Sequence, residues 1–318
     1  MRRYALLIAI IALTLSVNVS AQSQTPEAAV NHFKNALKKS GNGDLDGAIE
    51  DYTRAIVLSS RLDGGRYTAN RPAGNSFTGG NDASSDNVTV VDPFTANAYT
   101  NRGLARYQKG DIEGALADLD QAIRIRPGLA TAYLNRAAVQ RAAGNTEAAL
   151  KDLDRAIALQ KDFFEALSNR GSVRFDIGDT QGALADLNRA IELNDRVAEP
   201  YYQRGYLYLG LKQFDTAIAD FERAIKWAPN MAWAYQGRGT ALMYKGDMEH
   251  AIENFDQAIA RDRAIAWAYF NRAVSKLYLG QDPETDVAEC VKLRPDLKAQ
   301  LDQRLELAKH LGRIARQD

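Results

Sequence analysis

The sequence predicts an all-α protein built of tandem helix-turn-helix units. Three observations predict it: a fixed 34-residue period, helical spacing of apolar positions within each period, and a recurrent glycine followed by a capping residue between the two helical stretches. Small residues recur as Gly103, Ala137, Gly171, Gly205, Gly239 and Ala273, one per period. Alanines keep the same register as Ala115, Ala149, Ala183, Ala217 and Ala251, and again as Ala122, Ala156, Ala190, Ala224 and Ala258. A constant period of this length is the mark of stacked supersecondary units, none of which buries its apolar face alone. Within a period, Tyr235, Gly239 and Leu242, then Ala251, Phe255, Ala258 and Ile259, fall at three- and four-residue steps, so each period holds two short amphipathic helices. Between them stand Gly43-Asp44, Gly110-Asp111, Gly144-Asn145, Gly178-Asp179 and Gly246-Asp247: the glycine closes one helix in a left-handed conformation and the Asp or Asn caps the next.

Taken in chain order, the first element is separate. Arg2 and Arg3 precede an apolar run from Tyr4 to Val17, and Val19-Ser20-Ala21 ends it with small residues. This is the pattern of a secretory signal peptide, residues 1–21, cleaved after Ala21. The run is shorter than the roughly 20 residues a bilayer-spanning helix needs; retention as a single anchor is the alternative. The reading places the mature chain in the periplasm or outside the cell, peripheral to a membrane at most. Residues 22–28 are a linker, and 29–62 form a degenerate first unit recognised by Gly43-Asp44, Ala48, Tyr52, Ala55 and Ile56. Residues 63–95 break the period: rich in Gly, Asn, Ser and Asp, they read as an inserted loop, with Val88–Val91 as a short strand or docking stub and Asn87-Val88-Thr89 as a formal glycosylation triplet. Units follow at 96–129, 130–163, 164–197, 198–231 and 232–265. The last, 266–296, fits only if two residues are lost near Pro283, which puts Cys290 in the buried alanine column as an inert thiol. Leu297, Leu301, Leu305, Ala308 and Leu311 give residues 297–318 the stripe of a solvating end helix and tail.

Small residue, alanine, aromatic or leucine, alanine and proline on this period resemble the tetratricopeptide repeat, most fully in 198–231 through Tyr201, Gly205, Tyr208, Ala217, Phe221, Ala224 and Pro229. The resemblance implies a right-handed α-solenoid with a C-terminal capping helix, acting as a non-catalytic scaffold that binds a peptide or protein segment along a concave face lined by the first helices. One column departs from the family: where it uses leucine, this chain has Arg102, Arg136, Arg170, Arg204, Arg238 and Arg272. The first five face Asp118, Asp152, Asp186, Asp220 and Asn254 sixteen residues on, so we read a ladder of polar pairs within the repeats.

The implied groove is small and mostly neutral in the early repeats, where it takes Thr100, Leu134 and Ser168. It becomes aromatic later, with Tyr202 and Tyr206, then Trp233, Gln236 and Tyr244, then Trp267 and Phe270. Rigid amphipathic rings suit an apolar or extended peptide; packing between neighbouring repeats explains the tryptophans equally well. Asn101, Asn135, Asn169 and Asn271 also recur, at positions the family often uses to hold a ligand backbone. The basic residues of a carboxylate clamp are missing from these columns.

Composition bounds the rest. The chain has 318 residues, with 40 basic against 40 acidic side chains and no long basic run, which argues against nucleic acid as a partner. His32, His250 and His310 lie far apart without metal-ligand spacing, and no phosphate loop, nucleophile elbow or calcium loop occurs. No cofactor and no enzymatic activity are expected. Recognition of glycan or cell wall by the aromatic groove is the alternative to a protein partner.

Overall fold

In a computed structural model of the chain, residues 26–60 and 93–314 are described; the leader, most of the inserted loop with its strand and glycosylation expectations, and the extreme C-terminus lie outside them. The described residues are helical apart from the turns, and contain no strand. The chain divides into two compact units, 1–169 and 170–318, with the boundary inside one helix.

In the first unit, α1 (Glu27–Gly41) and α2 (Leu45–Ser60), α3 (Pro93–Gln108) and α4 (Ile112–Ile125), and α5 (Ala130–Ala142) and α6 (Thr146–Leu159) pack as three hairpins, each leaning on the next. The boundary falls within α7 (Phe164–Asp176). The second unit continues with α8 (Thr180–Leu193), α9 (Ala198–Gly210), α10 (Phe214–Trp227), α11 (Ala232–Tyr244), α12 (Met248–Arg261), α13 (Ala266–Tyr278) and α14 (Glu284–Leu293). A 3₁₀ turn, Pro295–Leu297, then leads into α15 (Lys298–Ile314).

The turns follow their sequence. Gly110 and Gly246 adopt φ of +86° and +87°, a conformation costly for side chains with a Cβ. Their column holds a glycine in every described turn but one, where Lys212 takes φ +58°. The next residue caps the following helix: Asp111 Oδ1 accepts from Gly114 N at 2.9 Å, Asp179 Oδ1 from Gly182 N at 2.9 Å and Asp247 Oδ1 from His250 N at 3.2 Å. Asn145 departs from the expectation; its amide donates to Gln140 Oε1 and makes no side-chain cap.

Both alanine columns are fully buried, and so is Cys290, whose thiol burial pushes up to about 11. Small residues there let helices approach to about 8–10 Å between axes. The space between the columns is filled by one bulky residue per repeat: Leu119, Leu153, Leu187, then Phe221 and Phe255. Phe221 is wedged between two glycines, since a Cβ at Gly205 would lie 2.9 Å and one at Gly237 2.5 Å from its Cε1.

Two ends differ from the regular repeat. Helix α3 starts three residues before 96, because Pro93 suits a first helical turn and Phe94 reaches the core of the first unit, 5.2 Å from the Phe33 ring. Thr95 is buried there and donates to Ser59 Oγ at 2.9 Å. At the other end α14 is four residues shorter than α12. Helix α15 packs mainly on α13, and Leu301 and Leu305 join Phe270 and Cys290 in one cluster.

Candidate functional site

The arginine ladder is real, and it is structural. Arg102 holds Asp118 through two bonds of 2.9 and 2.7 Å; Arg136–Asp152, Arg170–Asp186 and Arg204–Asp220 repeat this fork at 2.6–2.8 Å. These carboxylates are 3–6% exposed, so a bidentate partner is what makes their burial tolerable. For Arg204, burial is the largest influence and would lower the pKa; the hydrogen bonds it donates to Asp220, together with the charge of Asp220 and the neighbouring Tyr208 and Tyr201, outweigh it and the net shift is upward. Four of the arginines also reach back one repeat: Arg102 to Thr53, Arg136 to Asp120, Arg204 to Asn188 and Arg272 to Asp256. Tyrosines one turn earlier put a ring under the guanidinium, from 5.2 Å for Tyr99 under Arg102 to 5.8 Å for Tyr235 under Arg238.

Two members of this system were missed from sequence. Arg272 pairs with Asp286, fourteen residues on, because the deletion near Pro283 shortens the register by two. In the first unit Asn35 takes the arginine's place, and the buried Asp51 is held by His32 Nδ1 at 2.9 Å and Lys39 Nζ at 2.7 Å. Burial raises the Asp51 pKa, but its bonds to Lys39 and His32 prevail and leave it lowered.

The aromatic residues of the second unit gather on α9, α11 and α13. Tyr202 and Tyr206 pack edge to face at 5.0 Å, and Tyr206 meets Phe221 in the same way at 5.1 Å. The Tyr206 hydroxyl donates to Gln236 Oε1 and lies 3.4 Å from the Trp233 carbonyl, tying α9 to α11. Gln236 Nε2 donates to Thr240 Oγ1 at 2.9 Å, and Asn271 Nδ2 donates to the same oxygen at 3.0 Å, tying α11 to α13. Tyr202, Tyr206, Trp233 and Trp267 are half-buried, each with part of its surface in solvent.

Other expected contact residues sit elsewhere. Phe270 is 3% exposed, 5.1 Å from Trp267 and inside the cluster shared with α15, so it is core. Gln236 and Asn271 are 6% and 8% exposed, with amides committed to the bonds above, which makes them inter-repeat ties. Tyr244 lies at the far end of α11, exposed and stacked on Phe214 at 5.6 Å. In the first unit, the Asn169 amide donates to the Glu165 carbonyl at 2.9 Å, a bond within its own helix, while Asn101 and Asn135 are half-buried. Burial pushes the Glu165 carboxyl up. The asparagine column is also interrupted in the second unit, where Gln203 and Gly237 stand ahead of Asn271.

Among the described residues no group of three His, Cys, Asp or Glu could hold a metal ion, and no helix is long and apolar enough to cross a membrane.

Three family models match: one described as TPR repeat over residues 103–141, and two described as tetratricopeptide repeat over 134–198 and over 198–231 with 234–265. The chain belongs to the tetratricopeptide repeat family. None of the matching models describes an enzyme. A tetratricopeptide repeat protein from Parabacteroides merdae ATCC 43184 is similar in structure, with a TM-score of 0.59 and 19% identity over 89% of this chain and 99% of that one. A chain of the APC/C hetero-tetramer Cut9-Hcn1 gives a TM-score of 0.62 and 16% identity over 67% and 42%, and MamA gives 0.44 and 29% over 51% and 94%. The first two share the fold. No curated protein matches the chain. Tetratricopeptide repeats are protein-interaction scaffolds, and that coarse role holds for this chain.

Proposed function

We propose that this tetratricopeptide repeat protein is an exported, non-catalytic scaffold that holds a peptide or protein segment against the aromatic face of α9, α11 and α13. One observation carries the reading: Tyr202, Tyr206, Trp233 and Trp267 lie on first helices of consecutive repeats, half in solvent, and hydrogen bonds through Gln236 and Thr240 fix those helices against one another. Preorganised rings offer contact area at small entropic cost, which is what an extended ligand needs. The glycan alternative relied on amides beside the rings; with Gln236 and Asn271 bonded internally, the peptide reading is the better supported.

Export rests on the leader pattern of residues 1–21. N-terminal sequencing of the protein recovered from cells is expected to begin at Gln22; a start at Met1 in the cytosol refutes export. The groove reading is tested by cross-linking in the native compartment, comparing the full protein with a folded Trp233→Ala/Trp267→Ala variant. Partners lost only in the variant support the aromatic face as the site, and partners retained equally remove it.

A further inference from the structure

The chemistry of this face singles out a kind of ligand. Glu199 and Trp233 hold the same register in consecutive first helices, α9 and α11, and Tyr202 stands less than one turn beyond Glu199. The Tyr206 hydroxyl reaches from α9 to Gln236 and the Trp233 carbonyl on α11, so a carboxylate and two or three aromatic rings border one stretch of surface. Glu199 is half-buried, with Oε1 accepting from Gln203 Nε2 at 2.9 Å, which limits where its charge can go. At the positions of this face on α9, α11 and α13, Glu199 is the one charged residue and no residue is basic. An anionic segment would therefore meet a carboxylate and ring faces of negative quadrupole with nothing to neutralise it; a cation meets attraction from both. The protein already seats cations on rings, as Arg261 does 4.0 Å above Tyr235.

We propose that the aromatic face selects a cationic, apolar peptide segment, with a Lys or Arg of the ligand seated between Glu199 and the Trp233 ring and its apolar residues on Tyr202, Tyr206 and Trp267. The proposal rests on the groove reading above and adds the sign of the ligand's charge.

The test uses the full protein and three 12-residue peptides that alternate leucine with lysine, glutamate or serine, read by fluorescence anisotropy, with an array of randomised 12-residue peptides alongside. The lysine peptide is expected to bind about tenfold or more tightly than the glutamate peptide, and to weaken as salt rises. Glu199→Gln, which keeps the side-chain shape, is expected to reduce lysine-peptide affinity several-fold and leave the serine peptide unchanged; array hits are expected to be enriched in Lys and Arg. Binding that is lost in Trp233→Ala but shows no preference for cations overturns this inference and leaves the groove reading standing. Lysine-peptide binding unchanged in both Glu199→Gln and Trp233→Ala overturns the two together. Absence of binding to all three peptides and to the array overturns the inference.

Discussion

Gly237→Ala sets helix propensity against packing in a single atom. Position 237 is interior to α11, where alanine is worth about 1 kcal/mol over glycine, and propensity alone makes the change stabilising. The new Cβ would lie 2.5 Å from Cε1 and from Cζ of Phe221, more than 1 Å inside contact distance. The ring is fully buried and has no retreat, because Gly205 backs it so closely that a Cβ there would be at 2.9 Å. Overpacking costs about 1–3 kcal/mol, and a ring pinned on both sides belongs at the upper end, so the net expectation is a loss of about 2 kcal/mol. For a chain of this length that corresponds to a fall in Tm of roughly 3 °C. The assay is thermal and urea unfolding followed by circular dichroism for wild type, Gly237→Ala, Phe221→Leu and the double variant. Leucine fills the Phe221 column in earlier repeats, so in its background Gly237→Ala is expected to become neutral or stabilising, a coupling of about 2 kcal/mol. A rise in Tm for the single variant, or an equal loss in both backgrounds, would refute the wedge argument.

Asn254→Asp restores the fork that Arg238 lacks, since Arg238 Nε now reaches only Asn254 Oδ1 at 2.7 Å; a gain of about 1 kcal/mol is expected in urea unfolding, tempered by the existing Asn254 bond to the His250 carbonyl. Lys212→Gly removes a positive-φ side chain at an exposed turn and is expected to raise stability by up to about 1 kcal/mol, read as a higher urea midpoint. Asp51 has its pKa depressed in the folded state, so its contribution is present above the ordinary carboxylate value and is lost as pH falls through the lowered one; Asp51→Asn is expected to flatten the loss of Tm below about pH 4.

Periodicity made the fold legible, because each repeat states the same packing rule again. The alanine columns, the positive-φ glycines and the buried Cys290 all follow from register. The Arg272–Asp286 pair escaped although the deletion that creates it was inferred, because a fixed sixteen-residue spacing was applied across a shortened helix. The Asp51 triad escaped because its ligands, His32 and Lys39, occupy the columns of Tyr99 and Arg106 and not that of Arg102. The site was less legible because helical spacing assigns a residue to a face without saying what shares it. Asn271 and Gln236 look like ligand amides until Thr240 and Tyr206 are seen to bond them, and Phe270 looks exposed until α15 is placed on α13. Tyr244 has the spacing of the groove, but eleven residues along α11 carry it to the turn.

The backward reach of the arginines has a mechanical corollary. In the second unit Arg204 and Arg272 each clasp the hairpin behind as well as their own, so a load along the stack is shared there by charged or amide bonds on both sides. Arg238 has a single hydrogen bond forward and only a 3.8 Å approach to Glu222 behind. Under tension the hairpin of α11 and α12 therefore leans on apolar packing and on the Tyr206–Gln236 and Asn271–Thr240 bonds, the same bonds that hold the aromatic face together, so extension of this scaffold strains that face itself.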